Sequence, residues 1–320
     1  MSSEYSIFKL SENEFDILIP LMKDCFGMNV NINYFEWKFK NNPAGFVEGY
    51  YAQHQSGEIA AYYGVIPEHY YVNMEKITIY QSCDTMTHSN HRRKGLFQQL
   101  AMHCYKQLKD SHKLFVIGFG GGQSTPGFIK FGWQEIFKMR YYFYNRQLKF
   151  LQTLKHVGVD EIKIYETIEH ITKLSNSNSY IYSDKSAKIY KWRVSNPLHE
   201  YKTIAIKGDS NSYESYLTYY EEKDKIILFD FYISNKVLGR NLFNFLKSKL
   251  TPNHKGIISF VQENSIWSNT LKSFGFLSNP FSRGPLNERV PFIFYASEDQ
   301  MNLFKDEKKW QINSFEHDAI

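Results

Sequence analysis

Apolar residues recur along this chain with two periods, and the switching between them lays out a mixed α/β protein. Residues 5–10 read as a strand. Phe15, Leu18, Ile19, Met22 and Phe26 then return at helical spacing; Ser11-Glu12-Asn13-Glu14 is a capping box that starts this helix and Gly27 ends it. A second short helix over residues 34–42 stops at Asn42-Pro43. Strands follow over residues 45–53, 58–66 and 70–87, broken at Ser56-Gly57 and at Pro67. Leu96, Leu100, Cys104 and Leu108 carry a helix up to Asp110. Residues 113–119 form a buried strand, 120–126 a Gly-rich loop before a helix that ends at Phe131-Gly132-Trp133, and 139–146 a Tyr-rich strand.

The second half repeats these landmarks in order. Residues 162–165 answer the opening strand. Tyr190-Lys191-Trp192 and Asn196-Pro197 answer Phe35-Glu36-Trp37 and Asn42-Pro43, one residue shorter. Residues 226–234 match the strand before Thr87, and Leu242-Phe243 matches Leu96-Phe97. Residues 255–261 match 113–119, and Phe274-Gly275-Phe276 matches Phe131-Gly132-Trp133. The expected division is residues 1–150, a linker at 151–159, and residues 160–320.

Composition narrows the options. Of 320 residues, 42% are hydrophobic and 17% aromatic, which excludes disorder as the main state. A net charge of +5, scattered except at residues 92–94, fits a small anionic cofactor better than nucleic acid. Cys25, Cys83 and Cys104 form no metal-binding or pairing pattern, so no metal is expected and the thiols read as free ones in a reducing compartment. With no signal-like start and no long apolar run, a cytoplasmic protein without membrane contact is expected.

The chemistry gathers where the strand ending at Thr87 meets the helix beginning at Leu96. A helix start leaves amides unpaired at the positive end of its dipole, which suits phosphate. Arg92, Arg93 and Lys94 add charged donors, and Gly95 lets a ligand approach the backbone. Aligned on Leu-Phe, the second copy has Leu238, Gly239, Arg240 and Asn241 there, so one anion site is expected, in the first half. The pattern is neither a P-loop nor a dinucleotide fingerprint. It resembles the Arg-x-x-Gly-x-(Gly/Ala) motif of the GNAT superfamily of acyl-CoA-dependent N-acyltransferases, through Arg92, Gly95 and Phe97.

The resemblance, which spans nearly the whole chain, implies two tandem GNAT-like domains. Each would be an α/β (α+β) unit with a mixed, mostly antiparallel sheet, flanking helices and a splayed central strand pair, the second having lost its cofactor motif. It implies acetyl-CoA as cosubstrate, held by Met86, Thr87, Arg92, Arg93, Lys94, Gly95, Leu96, Phe97 and Phe128, and direct transfer to a primary amine of a small molecule in a ternary complex. An amino sugar, nucleotide-linked or not, is one acceptor suggested by similar tandem proteins; a monomer or homodimer is expected.

An aliphatic amine with a pKa near about 10.4 is mostly protonated at neutral pH, so a base helps. Asp84 is the candidate, two residues before Met86; its counterpart Asp230 persists where the cofactor motif is lost, which favours a structural role for both. His88 and His91 read as phosphate contacts or turn caps. Many GNAT enzymes protonate the leaving thiolate with a Tyr where this chain has Phe128, which carries no proton; Ser124 and Thr125 are the substitutes, or else helix caps. The tyrosines at 50, 51, 62, 63, 70 and 71 could line an acceptor pocket or simply pack across strands, and Arg283 and Arg289 could grip an anion. A catalytically silent acyl-CoA-binding protein is the second reading, and an aminoacyl transferase of the peptidoglycan-bridge type the third.

Overall fold

The computed structural model describes residues 4–111, 114–122, 124–147, 181–207, 213–297, 302 and 304–318. In chain order the first half comprises β1 (Tyr5–Lys9), α1 (Leu18–Phe26), α2 (Ile32–Phe35), β2 (Glu48–His54), β3 (Ile59–Val72), β4 (Glu75–Thr87), α3 (Leu96–Asp110), β5 (Phe115–Phe119), α4 (Thr125–Lys130) and β6 (Gln134–Asn145). The second comprises β7 (Ile181–Ser183), α5 (Ala187–Arg193), β8 (Lys202–Lys207), β9 (Tyr213–Glu222), β10 (Lys225–Ile233), α6 (Lys236–Ser248), β11 (Gly256–Gln262), α7 (Ile266–Ser273), β12 (Arg289–Ala296) and β13 (Trp310–Gln311). This is the mixed α/β architecture that the periodicity predicts. The matched segment 162–165 and the linker 151–159 lie outside the described residues.

Local chemistry accounts for most element ends. The Glu14 carboxylate accepts from the Ser11 amide and hydroxyl, so half of the capping box forms, and Gly27 ends α1 at φ 67°. Past α2 the chain continues as a π turn over Glu36–Lys40 rather than as a regular helix. Pro67 does not break its strand: β3 runs through it to Val72, and the turn falls instead at Asn73 and Met74, both at positive φ. Pairing to β2 has ended at Val65 and pairing to β7 begins at Tyr70, so among the described strands β4 alone pairs with β3 at Pro67.

Eleven strands form one path, β1-β2-β3-β4-β5-β12-β6-β11-β10-β9-β8, with β7 and β13 off it. The halves interleave. β12, late in the chain, slots between β5 and β6, and β6 of the first half pairs with β11 of the second. Alternation along β2 and β3 sends Tyr51 and Tyr62 into the core under α1 and α2, and Tyr50 and Tyr63 into the core under α3 and α4. These tyrosines are packing residues.

At the junction, Trp37 and Trp192 stack 5.5 Å apart, and each indole donates to the other's backbone carbonyl at 2.7 Å. The reciprocity matches the repeat, since the two tryptophans are its aligned positions.

Candidate active site

β4 and β5 are parallel but pair only at Tyr80↔Val116 and Gln81↔Ile117, then diverge. A cavity of about 650 Å³ opens where they part, bordered by Asp84, Thr87, Arg92, Gly121, Phe128 and His317 among others. That volume suits a small ligand or part of a larger one. A bulge shapes its wall. The β3–β4 register shifts between Tyr62 and Gly64, placing an extra residue in β4, and Asp84 adopts φ 46°. Cys83 and Met86, three apart, therefore face the same core, and Asp84 turns toward α2 and the π turn.

After β4 the chain makes a tight turn over Ser89–His91, then passes through positive φ at Arg93 (66°) and at Gly95 (75°), where α3 begins. Asp24 of α1 anchors this turn by accepting from the Ser89 amide at 2.8 Å and hydroxyl at 2.9 Å. Those bonds, led by the amide's, hold its carboxyl below the usual range. The first amide of α3 with a backbone acceptor is that of Gln99, bonded to the Gly95 carbonyl at 3.1 Å. Among the described residues, the amides of Leu96 and Phe97 have no hydrogen-bond partner, and no side chain caps the helix. They remain available to an anion.

The basic residues divide. Arg92 borders the cavity, its Nε donating to the Thr87 carbonyl at 3.4 Å. Arg93 is exposed. Lys94 turns toward β1, 3.0 Å from Glu4 and over the Tyr5 ring. His88 accepts from the Asn90 amide and so caps the turn, whereas His91 is buried against Tyr5 and Glu58.

The second copy is built differently at the same place. Asn235 caps α6 with its own side chain, accepting from Val237 and Leu238 at 3.0 Å each. Gly239 serves packing there, since a Cβ would meet Phe274 at 2.4 Å and Ile233 at 2.6 Å. Positions that stay open in α3 are closed in α6 by the chain itself.

Asp84 belongs to a buried charge cluster. Lys38 Nζ, 1% exposed, lies 2.9–3.0 Å from both Asp84 oxygens and 3.0 Å from Asp318, and the Tyr34 hydroxyl donates to Asp84 at 3.4 Å. Burial raises the Asp84 pKa against the opposing pull of Lys38. For Asp318 the attraction of Lys38 and His317 outweighs burial and lowers it. Asp230 in the second copy has fuller bonding, to Lys185 at 2.7 Å, Tyr216 at 2.8 Å and Asn313 at 2.9 Å, and is fully buried. Unlike Asp230, Asp84 borders a cavity.

Lys38, His317 and Asp318 were not among the residues the sequence singled out. The two C-terminal ones arrive on a strap that crosses both halves. Ser314 exchanges hydrogen bonds with Phe260 of β11, Gln81 of β4 donates to the Glu316 carbonyl at 2.8 Å, and Arg193 donates to the Phe315 carbonyl at 2.9 Å. The strap thus spans the gap beside β11 and ends in the cavity between β4 and β5.

The remaining candidates have defined surroundings. The Ser124 and Thr125 hydroxyls donate back to the Gly121 carbonyl, at 3.4 and 2.7 Å, as loop caps do. Phe128 packs against Phe97 and Trp133 at 5.0 and 4.7 Å. Leu96 and Met86 are core residues. Arg289 lies 3.7 Å from Glu263, while Arg283 is exposed.

Residues 6–136 match the family model described as acetyltransferase (GNAT) domain. This first part of the chain is thus similar to a GNAT acetyltransferase domain. No curated protein matches its sequence. Its fold is similar to that of a conserved Enterococcus faecalis protein described as a probable N-acyltransferase (TM-score 0.68, 9% identity, 92% of this chain and 73% of that one). A GCN5-related N-acetyltransferase of Anabaena variabilis (0.65, 10%, 91% and 72%) and Saccharomyces cerevisiae N-myristoyltransferase with bound myristoyl-CoA (0.58, 10%, 92% and 80%) are similar too. The strand splay and the uncapped start of α3 both lie within the matched segment. Among the described residues, no helix is long and apolar enough to cross a membrane.

One consequence concerns pH. Burial lowers the His317 pKa from 6.5 to about 4, so between these values the unfolded chain holds a proton that the folded one does not. Stability contributed by neutral His317 is complete above pH 6.5 and is lost as pH falls toward 4, by about 3 kcal/mol at most. Urea titrations of His317→Asn should show a shallower loss than the parent over that window; parallel curves would refute this assignment.

Proposed function

We propose that this protein transfers an acetyl group from acetyl-CoA to a primary amine of a small molecule, directly and in a ternary complex. The observation that carries this reading is the cavity between β4 and β5, with Asp84 and Arg92 on its wall and the uncapped start of α3 four residues beyond Arg92 in the chain. The pyrophosphate would sit on the amides of Leu96 and Phe97 with Arg92 and Arg93 beside it, and the thioester would run along Met86 and Thr87. Lys94, bonded to Glu4, contributes long-range charge rather than contact. Asp84, made more basic by burial, would take the ammonium proton through water, and proximity would supply much of the rate.

We read residues 1–150 as the cofactor-binding domain and 160–320 as a degenerate partner whose strap completes the cavity. The aligned tryptophan pair and the self-capped α6 support this. An amino sugar is a fitting acceptor class, and a cytoplasmic location fits free thiols.

Release of free thiol from acetyl-CoA should be measured with a panel of primary amines. Turnover well above the hydrolytic background with at least one class is expected. Tight acetyl-CoA binding with no turnover across the panel would instead favour a silent acyl-CoA-binding protein, a reading to which Phe128, with no proton to give, lends weight.

A further inference from the structure

Behind the turn that leads into α3, on the side of β1 and the β2–β3 hairpin, lies a histidine cluster to which the acyl-transfer reading assigns no role. We propose that Glu58, His88 and His91 form a binding site for a zinc-class divalent ion, which staples residues 88–91 to the β2–β3 hairpin. One ligand atom from each lies within 4.8 Å of the others. Glu58 places one oxygen 2.7 Å from His91 Nε2 and the other 3.5 Å from His88 Nε2. Nitrogen and oxygen ligands about 2.0–2.2 Å from one tetrahedral ion are themselves about 3.4 Å apart, so shifts of about an ångström convert the cluster into a coordination shell.

The surroundings favour coordination. His91 is held through its other nitrogen by the Tyr5 hydroxyl at 2.9 Å, and its ring is flanked by Tyr5 and His54. A metal-bound imidazole is ordinarily oriented in this way, leaving Nε2 as the ligand. Side-chain exposures of 42%, 21% and 8% for Glu58, His88 and His91 leave an entry path and room for a water as fourth ligand. His88 would give up the 3.3 Å bond from the Asn90 amide to take the required tautomer. Two imidazoles and one carboxylate suit Zn²⁺, Co²⁺ or Ni²⁺ better than Mg²⁺ or Ca²⁺.

The test is metal binding to chelator-treated full-length protein, by calorimetry with Zn²⁺ and by the visible spectrum of Co²⁺. One ion per chain is expected. Glu58→Gln and His88→Ala, both solvent-accessible, should each weaken it at least tenfold, while His103→Ala, an exposed histidine elsewhere, should not. Absence of stoichiometric binding at micromolar Zn²⁺, or binding unchanged in both variants, would overturn the proposal. The readout is independent of acyl-CoA, so it stands or falls apart from the catalytic reading.

Discussion

Gly95→Glu is expected to abolish acetyl-CoA binding, lowering affinity by at least a hundredfold and erasing the thermal stabilisation that the cofactor gives the parent protein. Two effects combine. Gly95 sits at φ 75°, where a side chain costs about 1–2 kcal/mol of strain, and the added carboxylate would lie beside the α3 amides that a phosphate needs. There is space for the side chain, since the nearest atom to a built Cβ is Gln99 Nε2 at 3.7 Å, so folding should survive. Gly95→Asn separates the two effects, because Asn tolerates positive φ and brings no charge. It should keep most of the affinity. Equal loss in both variants would point to strain rather than anion repulsion, and no thermal shift in the parent would remove the acyl-CoA reading altogether.

The elements legible in the sequence were those whose signals are local. Gly27, Gly95 and the apolar stripe of α3 mark their boundaries through φ and periodicity, and both survive in the folded chain. Pro67 misled because a proline reads as a break unless the neighbouring strands are known to end beside it. Lys94 reads as part of the anion site because adjacency along the chain says nothing of direction, and Glu4 draws it away. The largest gap was non-local. β12 entering between β5 and β6, and a strap bringing His317 and Asp318 to the cavity between β4 and β5, leave no periodic trace. Lys38 carried one faint signal, a lone lysine between Trp37 and Phe39, both core residues. The Glu58 cluster was equally hidden, its carboxylate lying far along the chain from His88 and His91, which it meets.

Asp84→Asn is expected to lower kcat by about 10²–10⁴-fold with little change in acetyl-CoA affinity, because it removes the proton acceptor and keeps the shape. The structural alternative makes a different prediction. If Asp84 only neutralises Lys38, the loss should appear as stability, with activity per folded molecule within a few fold of the parent. Burial raises the Asp84 pKa while Lys38 opposes it, so the acidic limb of kcat/KM should fall above the ordinary carboxylate range and disappear in Asp84→Asn. Lys38→Met supplies the converse. Removing the cation takes away what holds the Asp84 pKa down, so the limb should move to higher pH, while two buried carboxylates left without their shared cation cost about 3–5 kcal/mol of stability. Asp230→Asn completes the comparison, since that carboxylate is fully enclosed by Lys185, Tyr216 and Asn313. It should destabilise the protein and leave the pH profile unmoved, so a shifted limb in Asp230→Asn would count against Asp84 as the titrating base.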